Sequence, residues 1–260
     1  MAGGRRAQAG PIEAVRAEIE RIERGGRTLR DRPVLAFGHE GLDAHLPGGL
    51  PLGALHEVAG AGPDAEHGAA AALFVAGVLA RRRGPVLWAL AHRDLFAPAP
   101  AGAGLHPDRV LYAEAGEPAA VLLVMEEGLR HAGLAGVVGE LAGRLTPTAS
   151  RRLRLAAEGT GALAFAMRRG RRHDDPALRE PSAAATRWRV AALPSPPPLP
   201  HDPETPGLAR ARWRLDLVRC RGGEPRTWTV EACDAQGRLG VVADLADGQT
   251  APAPARHAGG

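Results

Sequence analysis

The sequence predicts an α/β fold: a mostly parallel sheet flanked by helices, with an N-terminal helix and a C-terminal β-hairpin. Short apolar segments typical of buried strands alternate along the chain with longer segments of helical periodicity. A glycine-rich turn joins one such strand, residues 54–60, to an apolar helix predicted from residue 69 to 79. Two alternating segments on either side of Gly222 and Gly223 have the pattern of a hairpin.

Composition narrows the class of protein further. A chain of 260 residues suits one large domain, and with only 3% aromatic residues its core is expected to consist of Ala, Leu and Val. No apolar stretch has the length of a membrane span or the features of a signal peptide, so we expect a cytoplasmic protein without membrane contact. Cys220 and Cys233 are expected to be free thiols, and the scattered histidines predict no metal site.

The charge is unevenly distributed. Every basic residue is Arg, so the choice of Arg over Lys carries little information at any one position. Residues 144–226 contain 17 Arg and 8 acidic residues, a net charge of +9, in a chain whose total is +4. This segment suits an acidic partner, either nucleic acid or an acidic protein surface, and equally suits a solvated arginine-rich surface.

Three regions are predicted. Residues 1–26 form a flexible start and an amphipathic helix over residues 11–24, either docked on its own domain or bound to a partner. Residues 27–245 form the α/β domain, which includes the hairpin at 210–232. Residues 246–260 have the composition of a disordered tail.

Within the main domain, the elements follow in order. After the helix at 69–79, residues 85–90 read as a buried strand, residues 98–104 as a surface loop and residues 105–112 as a strand. The later elements are expected as follows: helix 117–131, strand 134–141, helix 145–158 capped by Thr146 or Thr148, strand 162–167, strand 186–192, and hairpin strands 210–220 and 227–232.

The glycine-rich turn has the layout of a phosphate-binding loop and lacks its chemistry. Its glycines are Gly60, Gly62 and Gly68. A loop of the form GxxxxGK[ST] needs Lys for the phosphates and Ser or Thr for magnesium, whereas counting from Gly60 places Glu66 and His67 there. Because Glu66 would repel a phosphate, no cofactor is expected at this turn.

The order of motifs resembles a known family. The segment GLDAHL is followed by GGLPLG, by a strand that ends in glycine, and by a loop and helix. This order resembles the start of the RecA-like recombinase core, and within that superfamily it is most similar to the ImuA family of RecA-related accessory proteins. GGLPLGALHEVAG is the most specific part, RWRLDLVRCRGGEPRTWTVE resembles the C-terminal hairpin of the family, and the resemblance extends over residues 12–239.

The resemblance implies positions for ATP chemistry, and four of them depart from the recombinase pattern. The Lys and Ser/Thr of the loop are missing, and AHRD, with His92, follows the strand that leads to a catalytic Glu in recombinases. Gly139 stands at the position of the magnesium-holding Asp of the Walker B element, with Glu140 one residue later, and Arg168 and Arg169 stand where a polar sensor is expected. The site is therefore expected to be degenerate, and the alternative is an ATP-dependent recombinase-type ATPase that uses Glu140 and Arg168.

Arginines follow the last of these strands. Arg168, Arg169, Arg171 and Arg172 lie where recombinases carry DNA-contacting loops, and they are candidates for phosphate contact. No aromatic residues are interleaved with them, so base stacking is not predicted.

The resemblance also implies a function. It implies a protein of the DNA-damage (SOS) response that works in translesion synthesis without catalytic activity of its own, as a scaffold or regulator. The implied partners are an ImuB-like polymerase homologue, an error-prone replicative-type polymerase and the RecA filament, with DNA contacted directly or through these partners. A plain DNA-binding accessory protein is a third hypothesis.

Overall fold

The computed structural model describes residues 32–92, 98–170, 175–176, 179–199, 202 and 204–242. The helix predicted at residues 11–24 and the tail predicted at 246–260 lie outside the described residues, as do Arg171 and Arg172.

The described part contains eleven strands and five α-helices. The strands are β1 Val34–Leu35, β2 Leu50–Pro51, β3 Leu55–Gly60, β4 Val86–Leu90, β5 Val110–Glu114, β6 Gly136–Ala142, β7 Leu163–Arg169, β8 Thr186–Leu193, β9 Arg212–Cys220, β10 Arg226–Glu231 and β11 Gly240–Val241. The helices are α1 Glu40–His45, α2 Asp64–Ala80, α3 Ala99–Gly102, α4 Pro118–Arg130 and α5 Pro147–Thr160.

Nine strands form one sheet in the order β11-β10-β9-β8-β3-β7-β6-β4-β5, and β1 pairs with β2 separately. The six strands from β8 to β5 are parallel, and β9, β10 and β11 extend the sheet as antiparallel neighbours of β8. The prediction of a mostly parallel sheet with a C-terminal hairpin is confirmed. The carboxyl ends of the parallel strands meet at one edge, where α/β proteins place their ligand sites.

Helix ends follow local sequence signals. Pro118 and Pro147 occupy the first turns of α4 and α5, where their fixed φ suits a helix and no backbone N–H is needed. Thr146 is the cap of α5, and its hydroxyl accepts a hydrogen bond from the N–H of Ala149 at 3.2 Å. Gly161 ends the same helix in the left-handed conformation, with φ of 75°.

The two faces of the sheet have different cores. Helix α2 packs on one face, in a cluster that contains all four Trp and three of the four Phe residues. The rings of Phe37, Phe74 and Trp188 lie within 6.1 Å of one another. Helices α4 and α5 pack on the other face with Ala, Leu, Val and one Met. The predicted core of small aliphatic residues is therefore correct for one face and wrong for the other.

Three element boundaries differ from the sequence-based predictions. Helix α2 begins at Asp64 rather than at residue 69, so Gly68 lies inside the helix. The surface loop predicted at 98–104 contains helix α3, with Pro100 and Ala103 buried. The strand predicted at 105–112 starts as a 3-10 turn, Pro107–Arg109, and only then becomes β5.

Close packing explains Gly77 in the middle of α2. A Cβ at this position would lie 2.7 Å from the Cβ of Cys233 and would clash with its Sγ. Burial raises the pKa of the Cys233 thiol to about 12, so this sulfur acts as a neutral packing group. The contact holds α2 against the segment after β10.

We expect Gly77→Ala to lower the free energy of unfolding by about 2 kcal/mol, because the added methyl overpacks this contact. Gly159→Ala in α5 is the matched control, since a Cβ there meets no atom within 4 Å. The control should raise stability by about 0.5 kcal/mol through helix propensity. Urea unfolding of both variants checks the prediction, and equal effects would contradict it.

His56 connects β3 to its neighbours through a buried hydrogen-bond chain. Its Nε2 lies 3.0 Å from the carbonyl of Pro51, and its Nδ1 lies 2.8 Å from the hydroxyl of Thr186. The indole N–H of Trp188 donates to that hydroxyl at 2.8 Å. A neutral imidazole satisfies this chain, and burial lowers the pKa of His56 from 6.5 to about 4.

This pKa predicts a pH-dependent stability. Between pH 6.5 and 4 the unfolded chain binds a proton at His56 that the folded chain does not, so the stabilisation is complete above pH 6.5 and is lost towards pH 4. The loss should reach about 3 kcal/mol. Urea unfolding measures this loss. From pH 6.5 to pH 4 the free energy of unfolding should fall less for His56→Gln than for the exposed control His131→Gln. Equal falls in the two variants would show that His56 does not cause the pH dependence.

Candidate functional site

The predicted phosphate-binding position lies at the carboxyl edge of the parallel strands. Strand β3 ends at Gly60 and α2 begins at Asp64, so only residues 61–63 connect them. The N–H of Ala61 donates to the carbonyl of Val190, and the N–H of Asp64 donates to the carbonyl of Gly170, both at 2.9 Å. These two backbone donors are therefore bonded to a carbonyl within β8 and to one directly after β7.

The three glycines of the turn are buried or closely packed, so their positions have a structural explanation. A Cβ on Gly60 would lie 2.9 Å from the Cβ of His67, so this glycine allows the strand end to approach α2 closely. Gly62 is buried in the turn, and Gly68 lies in α2, where a Cβ would be 3.3 Å from Asp64.

The two positions that would carry Lys and Ser or Thr both lie in the first turns of α2. Glu66 points to solvent, with its side chain 59% exposed. His67 is buried, and its Nδ1 accepts a hydrogen bond from the N–H of Ala192 at 3.3 Å. Asp64 and Glu66 place two carboxylates at the amino end of α2, where the helix dipole would otherwise favour an anionic ligand.

Arg169 bridges this helix end to the sheet. Its guanidinium, at the end of β7, forms ion pairs with Asp64 at the start of α2 and with Glu140 on β6. Asp64 also accepts a hydrogen bond from the N–H of Gly170 at 3.2 Å, and Glu140 accepts one from the indole of Trp88 at 2.8 Å. The side chain of Glu140 is only 5% exposed, so Arg169 and Trp88 supply the compensation that a buried carboxylate requires.

A cleft opens beside this bridge. It has a volume of about 390 Å³ and is lined by Pro63, His92, Glu140, Arg169 and others, and an adjoining apolar recess of about 280 Å³ runs along α2 and α3. His92 thus lies at the cleft, although its neighbour Asp94 is outside the described residues. Among the described residues, no group of three His, Cys, Asp or Glu side chains could hold a metal ion.

The structure places Glu140, one residue after the position matched to the Walker B Asp, at the cleft. Gly139 faces α4, where a Cβ would clash with Met125, while Glu140 faces the cleft on the α2 side of the sheet. Alternation along β6 puts these neighbours on opposite faces, so the position matched to the Walker B Asp does not face the cleft.

The arginine cluster is divided between the two faces. Arg168 is 3% exposed, and its guanidinium pairs with Glu57 at 3.2 Å and with the carbonyl of Gly143. Burial lowers the pKa of Arg168 and Glu57 opposes that shift. A buried guanidinium cannot reach a nucleic-acid phosphate, so the prediction of such a contact is wrong for Arg168, and Arg169 is committed to the bridge.

Sequence reasoning missed Asp64 and Trp88. Asp64 was read as part of a loop, although Pro-Asp followed two residues later by Glu is a recognisable start of a helix. Trp88 had no sequence signal for its hydrogen bond to Glu140, because the two residues are 52 positions apart.

Comparisons with known proteins decide the family. No protein-family model matches the chain. Protein ImuA of Caulobacter vibrioides, strain NA1000 / CB15N, is 41% identical over 246 residues, which cover 90% of this chain and 98% of the relative. The chain belongs to the ImuA family. Protein ImuA of strain ATCC 19089 of the same species matches with the same identity and coverage.

A solved structure confirms the fold of this ImuA-family chain. The crystal structure of the RadB recombinase matches with a TM-score of 0.54 over 81% of this chain and 100% of that one. At 16% identity the likeness shows the fold alone, which is RecA-like. None of the helices within the described ranges has the length and hydropathy needed to span a bilayer.

We expect Arg169→Ala to lower the free energy of unfolding by about 2 kcal/mol, because it leaves the buried Glu140 carboxylate with less compensation. Adding Glu140→Gln should recover part of this loss, since the variant then buries an uncharged amide. Urea unfolding of the single and double variants measures both changes.

Arg130→Ala is the control for this pair of variants. Its side chain is 58% exposed and pairs with Glu126 and Glu127, so its removal should cost about 0.5 kcal/mol or less. If the changes in free energy of unfolding of the two single variants simply add in the double variant, with no recovery from Glu140→Gln, the ion pair between Arg169 and Glu140 does not contribute to stability.

Proposed function

We propose that this chain is a non-catalytic accessory protein of DNA-damage-induced mutagenesis, a scaffold or regulator in error-prone translesion synthesis. Membership of the ImuA family supports a role in DNA-damage-induced mutagenesis, which is also the role that the motif resemblance implies. The observation that carries the non-catalytic part is the Arg169 bridge, because it fills the phosphate position with a pair of protein carboxylates and their own counter-ion.

Several features support the loss of nucleotide binding. A phosphate loop binds its ligand through free backbone N–H groups and a Lys, whereas Ala61 and Asp64 donate to carbonyls and Glu66 stands at the Lys position. Asp64, Glu66 and Glu140 would add negative charge next to a triphosphate. We infer that no nucleotide cofactor is needed and that the protein acts through its outer surface.

The proposed partners follow from the family. They are an ImuB-like polymerase homologue, an error-prone replicative-type polymerase and the RecA filament, and DNA is reached directly or through these proteins. A cytoplasmic location fits this role.

A second candidate function is an ATPase with unusual site residues. Glu140 favours it, because its carboxylate reaches a cleft of about 390 Å³ at the position where the fold family holds nucleotide. Arg168 does not support it, since its guanidinium lies on the opposite face with Glu57.

Titration calorimetry of the full chain with ATP and Mg²⁺ tests the proposal. We expect no binding heat, because ATP would have to displace the ion pairs of Arg169 while meeting three carboxylates. In cells that lack the native protein, Glu140→Gln should then restore damage-induced mutation to the same frequency as the unchanged chain.

A working ATPase would give a different and equally specific set of results. Binding of ATP with hydrolysis that Glu140→Ala abolishes, together with loss of induced mutation in the Glu140→Gln cells, would establish the ATPase. No effect of deleting the protein on induced mutation would reject the proposed pathway.

A further inference from the structure

A second cleft lies at the opposite edge of the sheet, at the amino ends of the parallel strands. It has a volume of about 320 Å³ and lies between the segment before β3, the end of α5 and the end of α2. Gly53 and Gly161 form part of its wall, and the charged side chains that line it are Arg32, Arg82 and Glu158.

Glu158, which lines this cleft, pairs with two arginines. It forms ion pairs with Arg154, at 2.8 Å, and with Arg32. The side chains of Arg32 and Arg154 are only 10% and 26% exposed, so both guanidiniums are recessed. The cleft therefore already accommodates one carboxylate between arginines.

More arginines adjoin this pair than the single carboxylate can neutralise. Arg221 is exposed at the end of β9, and neither it nor Arg219 forms an ion pair with a carboxylate in the described part of the chain. Arg219 donates to the carbonyl of Ser182 at 2.8 Å. Burial, then Arg154, Arg219 and Arg32, lower the pKa of Arg221, and Glu158 alone opposes them.

Arg82 adds a further unsatisfied group. Its Nε is buried and has no hydrogen-bond partner among the described residues. A buried donor without an acceptor is unfavourable, as are like charges held together, and both costs fall when an anion binds. Arg32 and Arg82 thus line the cleft beside Glu158. Arg154 adjoins it through its ion pair with Glu158, and Arg221 interacts electrostatically with Arg32, Arg154 and Arg219.

We propose that this basic cleft binds an acidic segment of a partner protein, through two or more Asp or Glu side chains. Glu158 provides the template, because an external carboxylate between Arg154, Arg219 and Arg221 would repeat the pairing that Glu158 makes with Arg32 and Arg154. The inference needs only the charges of this cleft, so it stands whether or not the chain binds ATP.

The shape of the cleft favours a peptide over nucleic acid. The interior of the recess, with Arg32 and Arg82, admits single Asp or Glu side chains, whereas the wide, rigid cylinder of a duplex cannot enter a volume of about 320 Å³ and would be limited to exposed arginines such as Arg221. Among the described residues that line the cleft none is aromatic, so these residues provide no stacking platform of the kind that single-strand binders use.

Fluorescence anisotropy with a labelled peptide of six consecutive glutamates tests the proposal on the full chain. We expect binding that weakens as NaCl rises, since the contacts are ionic and partly exposed. Arg221→Gln should weaken binding about fivefold, and Arg154→Gln with Arg221→Gln by more than tenfold. A peptide of six glutamines should not bind.

Two further variants separate this site from general charge effects. Arg152→Gln makes the same charge change on the same helix, but Arg152 pairs with Glu126 on α4, so peptide affinity should stay unchanged. Glu158→Gln frees two arginines and should strengthen binding several-fold. Arg221→Gln should not lower the thermal unfolding temperature, because its guanidinium is surrounded by like charges.

Three results would overturn the proposal. One is equal affinity of the unchanged chain and the Arg154→Gln, Arg221→Gln variant for the glutamate peptide. Another is equal binding of the glutamine peptide. The third is tighter binding of a twenty-residue oligothymidylate that the same two substitutions abolish, which would assign the cleft to nucleic acid.

Discussion

The bridge from Arg169 to Asp64 and Glu140 is the interaction on which the carboxyl edge of the sheet depends. It joins the start of α2, the end of β7 and the end of β6, three elements that the RecA-like fold brings together around a ligand. The guanidinium of Arg169 offsets the negative charge of the two carboxylates that it contacts at this edge. The three elements are therefore held together at this edge by protein side chains alone.

A second buried carboxylate paired with arginines lies on the other face of the sheet. Glu57, in the middle of β3, accepts contacts from Arg168 at 3.2 Å and Arg187 at 3.1 Å, and from the hydroxyl of Ser182. These residues tie β3 to β7 and β8, the two strands that flank it. Buried charges of this kind demand a complete set of partners, so they fix the register of the strands more strictly than aliphatic packing does.

The sequence was sufficient for the fold and insufficient for the site. Periodicity and turn signals placed the hairpin, α4, α5 and most parallel strands, because these depend on local patterns. The site depends on pairs that are distant along the chain, such as Arg169 with Asp64, and on which face each strand residue occupies. The motif order therefore could not show that Glu140 rather than Gly139 faces the cleft, or that Arg168 is buried in an ion pair with Glu57.

Charge then distinguishes the two edges of the sheet. At the carboxyl edge, Arg169 lies between two carboxylates, so an incoming anion meets no net attraction there. At the amino edge, Glu158 pairs with Arg32 and Arg154, while Arg219 and Arg221 form no ion pair with a carboxylate in the described part of the chain. Since every basic residue of this chain is Arg, the residue type itself indicates nothing, and only the surroundings of each guanidinium distinguish a structural role from a binding role. By that criterion, the surface that we propose for an acidic partner lies at the amino edge of the sheet, opposite the edge that Arg169 bridges.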